Sequence, residues 1–210
     1  MRHGESEANK ALVFAGCGFN AQLDEKGVEQ ARRFAEYAVK NYQIDAVYTS
    51  PLDRAYNTAN ACARLLGLEP IICEGVREIY AGAWEGMLVS DIRNKYPEEF
   101  SVWCNDIANC RCTDGESVRE MGERVMKALV EIAEANDGKT VVVASHYTPT
   151  AAVQTYAMTG DFNIINGTRV PNASITEVYY DNGKWSPGNY SIDSYLDGHD
   201  DNITIHLSKK

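Results

Sequence analysis

Apolar positions along this chain alternate between two periods. From residue 24 to 40, Val28, Ala31, Ala35, Ala38 and Val39 recur at helical spacing, which predicts a helix with one apolar face. A short run at 46–49 then stops at Ser50-Pro51 and reads as a strand. A second helix is predicted over 52–66, ended by Gly67. Residues 70–73 read as another short strand, and 90–96 as a helix closed by Pro97. The clearest helix follows Gly115. There Val118, Met121, Val125, Leu129 and Ile132 recur every three or four residues, with charges between them. Residues 140–144 form a continuous β-branched run, the pattern of a buried parallel strand, leading to His146. A helix is expected over 150–158. Alternation over 175–180 then runs through Asp181-Asn182-Gly183 into Lys184 and Trp185, a hairpin signal. The polar tail from Ser194 predicts no element.

Helical and strand-like segments in alternation predict an α/β layer architecture. In open α/β sheets ligands sit beyond the carboxyl ends of strands. Ser50-Pro51-Leu52-Asp53-Arg54 and Ser145-His146 both fall at such ends, so they are expected to share a pocket.

The length of 210 residues fits one domain spanning 1–210. No apolar run approaches the roughly 20 residues of a membrane-crossing helix, and no apolar leader follows Met1. The net charge of −10 disfavours nucleic acid and anionic lipid as partners. A site for an anion must then be a local cluster of arginines. The six cysteines form no Cys-x-x-Cys pair, and Cys104, Cys110 and Cys112 lack a fourth zinc ligand nearby. Free thiols in a cytoplasmic setting are expected, with no metal or other cofactor. A homodimer is compatible with the sequence, which does not set the oligomeric state.

Four segments carry candidate chemistry. Arg2-His3-Gly4-Glu5, with Asn9 beyond it, joins a nucleophilic imidazole to a guanidinium that holds phosphate oxygens in a fork; a surface loop dipeptide is the plain alternative. Arg54 opens a predicted helix, where a positive charge opposes the helix dipole, as an anion-binding arginine would; taken alone it reads better as a solvated helix-face arginine. Glu78 and Glu85 are candidates for the acid that protonates a leaving alkoxide, and spacing does not choose between them. His146, at a strand end, is a second imidazole or a satisfied core histidine.

In this order the segments resemble the histidine phosphatase superfamily, the phosphoglycerate mutase-like proteins. Leu23, Gly27 and Gln30-Ala31, Trp84-Glu85-Gly86, Gly115-Glu116-Ser117 and Pro171-Asn172-Ala173-Ser174 extend the likeness from Arg2 to Ser174. The resemblance implies a three-layer α/β/α sandwich with a mostly parallel sheet. It implies a phosphohistidine on His3, with Glu78 as proton donor and then base. Arg2, Arg54 and a protonated His146 become the positive pocket, with Asn9 a further phosphate contact. It implies no metal. Two departures stand out. The family places a strand directly before Arg-His-Gly, and here only Met1 precedes Arg2; the expectation is either that the start at Met1 omits upstream residues or that this variant lacks the strand. Tyr147 stands where the family has glycine, so it is expected to narrow the pocket or offer its hydroxyl to the substrate.

The expected function is a phosphomonoesterase acting on a small phosphorylated metabolite. Two alternatives are a phosphoglycerate mutase, for which no lid insertion is evident between Glu78 and His146, and a non-catalytic binder of phospho-ligands. Residues 97–113, with Phe100 and Trp103, are expected at the substrate rim.

Overall fold

The computed structural model describes residues 1–163 and 165–196. The expected reach of the domain to residue 210, and most of the polar tail, lie outside them. A single turn, α1 (Glu7–Lys10), precedes α2 (Glu25–Asn41). Asp24 caps α2, its Oδ1 accepting from Gly27 N at 2.7 Å. Strand β1 (Ala46–Thr49) leads to α3 (Asp53–Leu66), which ends on left-handed Gly67. Then follow β2 (Ile71–Ile72), α4 (Val89–Lys95), α5 (Pro97–Asn105), α6 (Val118–Ala135) and β3 (Val141–Ala144). Helix α7 (Tyr147–Thr159) and the antiparallel hairpin β4 (Val178–Asp181) and β5 (Lys184–Pro187) complete the order.

The three parallel strands lie in the order β2-β1-β3, with Ala46 opposite Val141 and Thr49 opposite Ala144. Residues 1–3 extend this sheet beyond β3. Met1 N donates to Val143 O, Ser145 N to Met1 O, and His3 N to Ser145 O. On the far side Arg2 N donates to Ser174 O and Ala173 N to His3 O. The carboxyl ends of β1, β3 and this first segment thus meet at one edge.

Side-chain alternation splits the core. Val47 and Ala144 pack on α2 and α3, while Tyr48 and Val143 pack toward α6 and α7. The result is helices on both faces of a parallel sheet, the expected layered architecture. Helix α6 buries Val118, Met121, Val125, Leu129 and Ile132, the five residues whose spacing predicted it. Each contributes about 1.5–3 kcal/mol of burial.

One expectation holds and one fails. The helix expected before Pro97 is α4, which ends at Lys95 with Tyr96 as its cap; Pro97 also opens the unexpected α5, because a first-turn proline gives up no intrahelical donor. The expected rim residues Phe100 and Trp103 are core: Trp103 meets Phe14 edge-on with ring centres 5.1 Å apart. Among the described residues, no helix is long and apolar enough to cross a membrane.

The loop carrying His3 is seated on the first turn of α2. Asp24 N donates to Glu5 O, and Glu5 N donates to Gln30 Oε1. The approach requires glycine: a Cβ on Gly27 would lie 1.8 Å from Glu5 O. Gly27→Ala is expected to cost at least about 2 kcal/mol, since backbone must move on both sides. Urea denaturation measures this; an unchanged midpoint would refute the close-packing argument.

Candidate active site

The three strand ends deliver the chemistry to one place. Beyond β1, Ser50-Pro51 turns the chain into α3, whose first turn carries Arg54. Beyond β3, Ser145 and His146 turn it into α7. Residues 1–3 bring Arg2 and His3 alongside. Arg2, His3, Arg54, Glu78 and His146 are all buried.

The His3 and His146 rings meet edge-on with centres 5.1 Å apart. His3 Nδ1 lies 2.6 Å from Gly4 O. A carbonyl only accepts, so Nδ1 carries the hydrogen and Nε2 keeps a lone pair. Arg54 Nε donates to that Nε2 at 3.3 Å, which agrees with the assignment. Asn172 Nδ2 donates both to His3 O and to Asn9 Oδ1, tying the two segments together.

Arg54 is further held by Gly16 O at 2.8 Å and Phe19 O at 3.4 Å. Arg2 donates to Val170 O at 2.7 Å, while its Nε has no partner among the described residues. Burial lowers the Arg2 guanidinium to about 10, so it stays charged at neutral pH. Burial, then Arg54 and Arg2, hold His3 well below the usual histidine range. His146 is held down by burial, then by Arg54, His3 and Arg2.

Glu78 Oε1 accepts from Ile79 N at 2.9 Å, and Oε2 faces Thr148 N at 3.5 Å. Burial raises its pKa above the ordinary carboxyl value, against the pull of Ile79 N and Arg54. Its charge acts on both Arg2 and Arg54. Glu85 does something different: Oε1 accepts from Cys17 N at 3.1 Å and Ala81 N at 3.0 Å, stapling two loops.

The site therefore gathers His3, Arg2, Arg54, His146 and Glu78. Asn9 stands beside them with its oxygen committed to Ser6 and Asn172. Burial, then Arg54, His3 and Arg2, disfavours a proton on His146, whose expected protonation belongs to the site facing a dianion. One detail differs from expectation. Tyr147 does not present its hydroxyl as a phosphate contact; it donates to Thr168 O, and the ring lies 5.3 Å from the Arg2 guanidinium. Sequence reasoning did not single out Ser50, whose Oγ lies 2.8 Å from His146 Nε2, or Asn172. Both sit inside motifs that had been noted, which was the available signal.

Two imidazoles, two guanidiniums and a carboxyl gathered at one edge of an α/β sheet are the groups that phosphoryl transfer calls for. The chain belongs to the histidine phosphatase superfamily (branch 1), whose family model matches residues 1–192. Phosphoserine phosphatase 1 of Hydrogenobacter thermophilus is 33% identical over 179 residues, 85% of this chain and 84% of that protein. A bifunctional protein of Mycobacterium tuberculosis is 32% identical over 183 residues; the chain spans 50% of its length. The structure of YhfR from Bacillus stearothermophilus superposes with a TM-score of 0.85 at 26% identity, covering 93% of this chain and 96% of that one. Family and relatives together make the chain a phosphatase.

Because both site imidazoles are depressed, they stay neutral at pH 6, where a histidine at the ordinary 6.5 is mostly protonated. Nitrogen-15 shifts of the two rings should be those of neutral imidazole at that pH. A ring titrating with its midpoint near 6.5 would contradict the described electrostatics.

Proposed function

We propose that the chain hydrolyses small phosphomonoesters through a phosphohistidine formed on His3 Nε2, with Glu78 as general acid and then base. The observation that carries this is the lone pair on His3 Nε2, fixed by the Gly4 carbonyl and faced by Arg54. In the first step Nε2 attacks phosphorus and the ester oxygen departs. Protonated Glu78 gives that oxygen its proton. In the second step ionised Glu78 takes a proton from water, which attacks the phosphohistidine and releases inorganic phosphate. One carboxyl serves twice because its raised pKa makes both forms accessible.

Arg2 and Arg54 bind the phosphoryl oxygens, and His146 meets one through Nδ1, the ring atom without a protein partner. An arriving dianion reverses the local field and raises the pKa of His146, so the substrate itself creates the third donor. These cations do the work that a metal ion does in other phosphoryl-transfer sites, which supports a metal-independent reaction. Asn9 lends its amide at the edge, and Tyr147 shapes the pocket through Arg2. The substrate class is a small alkyl phosphate, to which the phosphoserine in the name of the Hydrogenobacter relative belongs. The acidic surface supports a small anion over nucleic acid, and the free thiols support a cytoplasmic setting.

His3→Ala is expected to lower turnover of p-nitrophenyl phosphate by at least about 1000-fold. Wild-type enzyme quenched with phosphorus-32-labelled ester should carry acid-labile label on His3, insensitive to chelator. Turnover without label at His3 would sink the mechanism. Exchange of 2- and 3-phosphoglycerate at a comparable rate would make the mutase reading the correct one.

A further inference from the structure

The motif Gly115-Glu116-Ser117 has no part in the reaction above, yet it stands behind the acid. We propose that Arg124, oriented by Glu116, is a positioning residue that sets where the Glu78 carboxyl stands. The inference rests on the reading of Glu78 as acid and base.

Residues 73–80 join β2 to the next short turn and contain only the 3-10 turn Glu74–Val76. No sheet ladder uses their carbonyl groups. Side chains from outside the segment do so instead, at four consecutive residues. Arg124 Nη1 donates to Gly75 O at 2.8 Å and to Arg77 O at 3.2 Å, and Nη2 donates to Glu78 O at 3.3 Å. Ser145 Oγ, one residue before His146, donates to Val76 O at 2.7 Å. Buried carbonyls need such partners, and here one guanidinium supplies three of the four.

Glu116 aims that guanidinium. Arg124 Nε donates to Oε1 at 2.9 Å and Nη2 to Oε2 at 2.8 Å, a forked pair largely shielded from solvent. Glu116 Oε2 also accepts from Tyr80 N at 3.1 Å, so the pair grips the segment on both sides of Glu78. The platform is α6, an 18-residue helix with a Ser117–Glu120 capping box and a buried face. The segment lies tight on it: a Cβ on Gly75 would come 2.4 Å from the Ala128 Cβ. The backbone at 78 is fixed from α6, and the carboxyl is then fixed by Ile79 N and Thr148 N. Lysine offers charge at this place but no fork.

The leaving group separates positioning from general support. p-Nitrophenolate departs without a proton, whereas an alkoxide needs one. The comparison uses kcat/KM for p-nitrophenyl phosphate and glycerol 2-phosphate. Arg124→Lys is expected to lower the glycerol 2-phosphate value about 100-fold, and the p-nitrophenyl phosphate value less than about tenfold. Glu116→Gln should act in the same direction. In a Glu78→Gln background, adding Arg124→Lys should leave the ratio of the two esters unchanged. Arg124→Met is a stronger truncation; should it fail to fold, Arg124→Lys and Glu116→Gln carry the test.

Equal losses for both esters in Arg124→Lys would overturn the inference. So would a further change of the ratio in the Glu78→Gln background. If Glu78→Gln alone slows both esters equally, the acid assignment falls, and this inference with it. If Glu78→Gln discriminates and Arg124→Lys does not, only this inference falls.

Discussion

The structure keeps two buried guanidiniums charged without giving them carboxylate partners. Among the described residues neither Arg2 nor Arg54 has an ion pair; their hydrogen bonds go to the carbonyls of Val170, Gly16 and Phe19 and, from Arg54, to His3 Nε2. A carbonyl oxygen satisfies an N–H without cancelling its charge. A carboxylate would satisfy it and neutralise the field at once. Among the described residues Glu78 acts on both arginines, and burial biases it toward the neutral form. The less charge Glu78 carries, the less of the field of the two arginines it cancels.

Carbonyls in helices and strands are already used, so this form of solvation needs irregular backbone near the strand ends. The loop 16–19 supplies it for Arg54, and Glu85 holds that loop by accepting from Cys17 N. Gly16 there has φ +55°, and a Cβ would come 2.5 Å from Glu85 Oε1. Glu85 is therefore part of the scaffold that allows Arg54 to be charged and buried together. Where a half-buried arginine of this region does have a carboxylate, as Arg124 has Glu116, the pair lies behind Glu78 rather than beside His3.

Much of this was legible in the sequence. Helix α6 came from five spaced apolar residues and α2 from a similar stripe, because burial of one helical face leaves a helical period, while α3 was read from the Gly67 that ends it. His3, Arg54 and His146 were found because strand ends and motif order placed them together. Helix α5 was missed because Pro97 reads equally as a stop and as a first-turn residue. The sequence also gave no sign that Arg124 serves Glu78. The contact runs from one side chain to backbone carbonyls 46 to 49 residues away, and a carbonyl leaves no mark on residue identity. The protonation of His146 was not legible for a related reason: it depends on burial and on the summed field of groups 22 to 144 positions away, not on its neighbours in the chain.

That summed field also bears on substrate choice under the proposed assignment. The protein is acidic overall, at −10, so an anion approaching from solvent meets a repulsive surface and an attractive cleft. Inside the cleft burial and the two guanidiniums disfavour protons on the imidazoles. A dianionic monoester restores the affinity of His146 for a proton more strongly than a monoanion does, since the interaction scales with the charge that arrives. The same dianion faces Arg2 and Arg54 at full charge. Discrimination between a phosphate monoester and a diester or sulfate ester then needs no steric device. It follows from arginines solvated by carbonyls and from an imidazole whose protonation waits for the ligand.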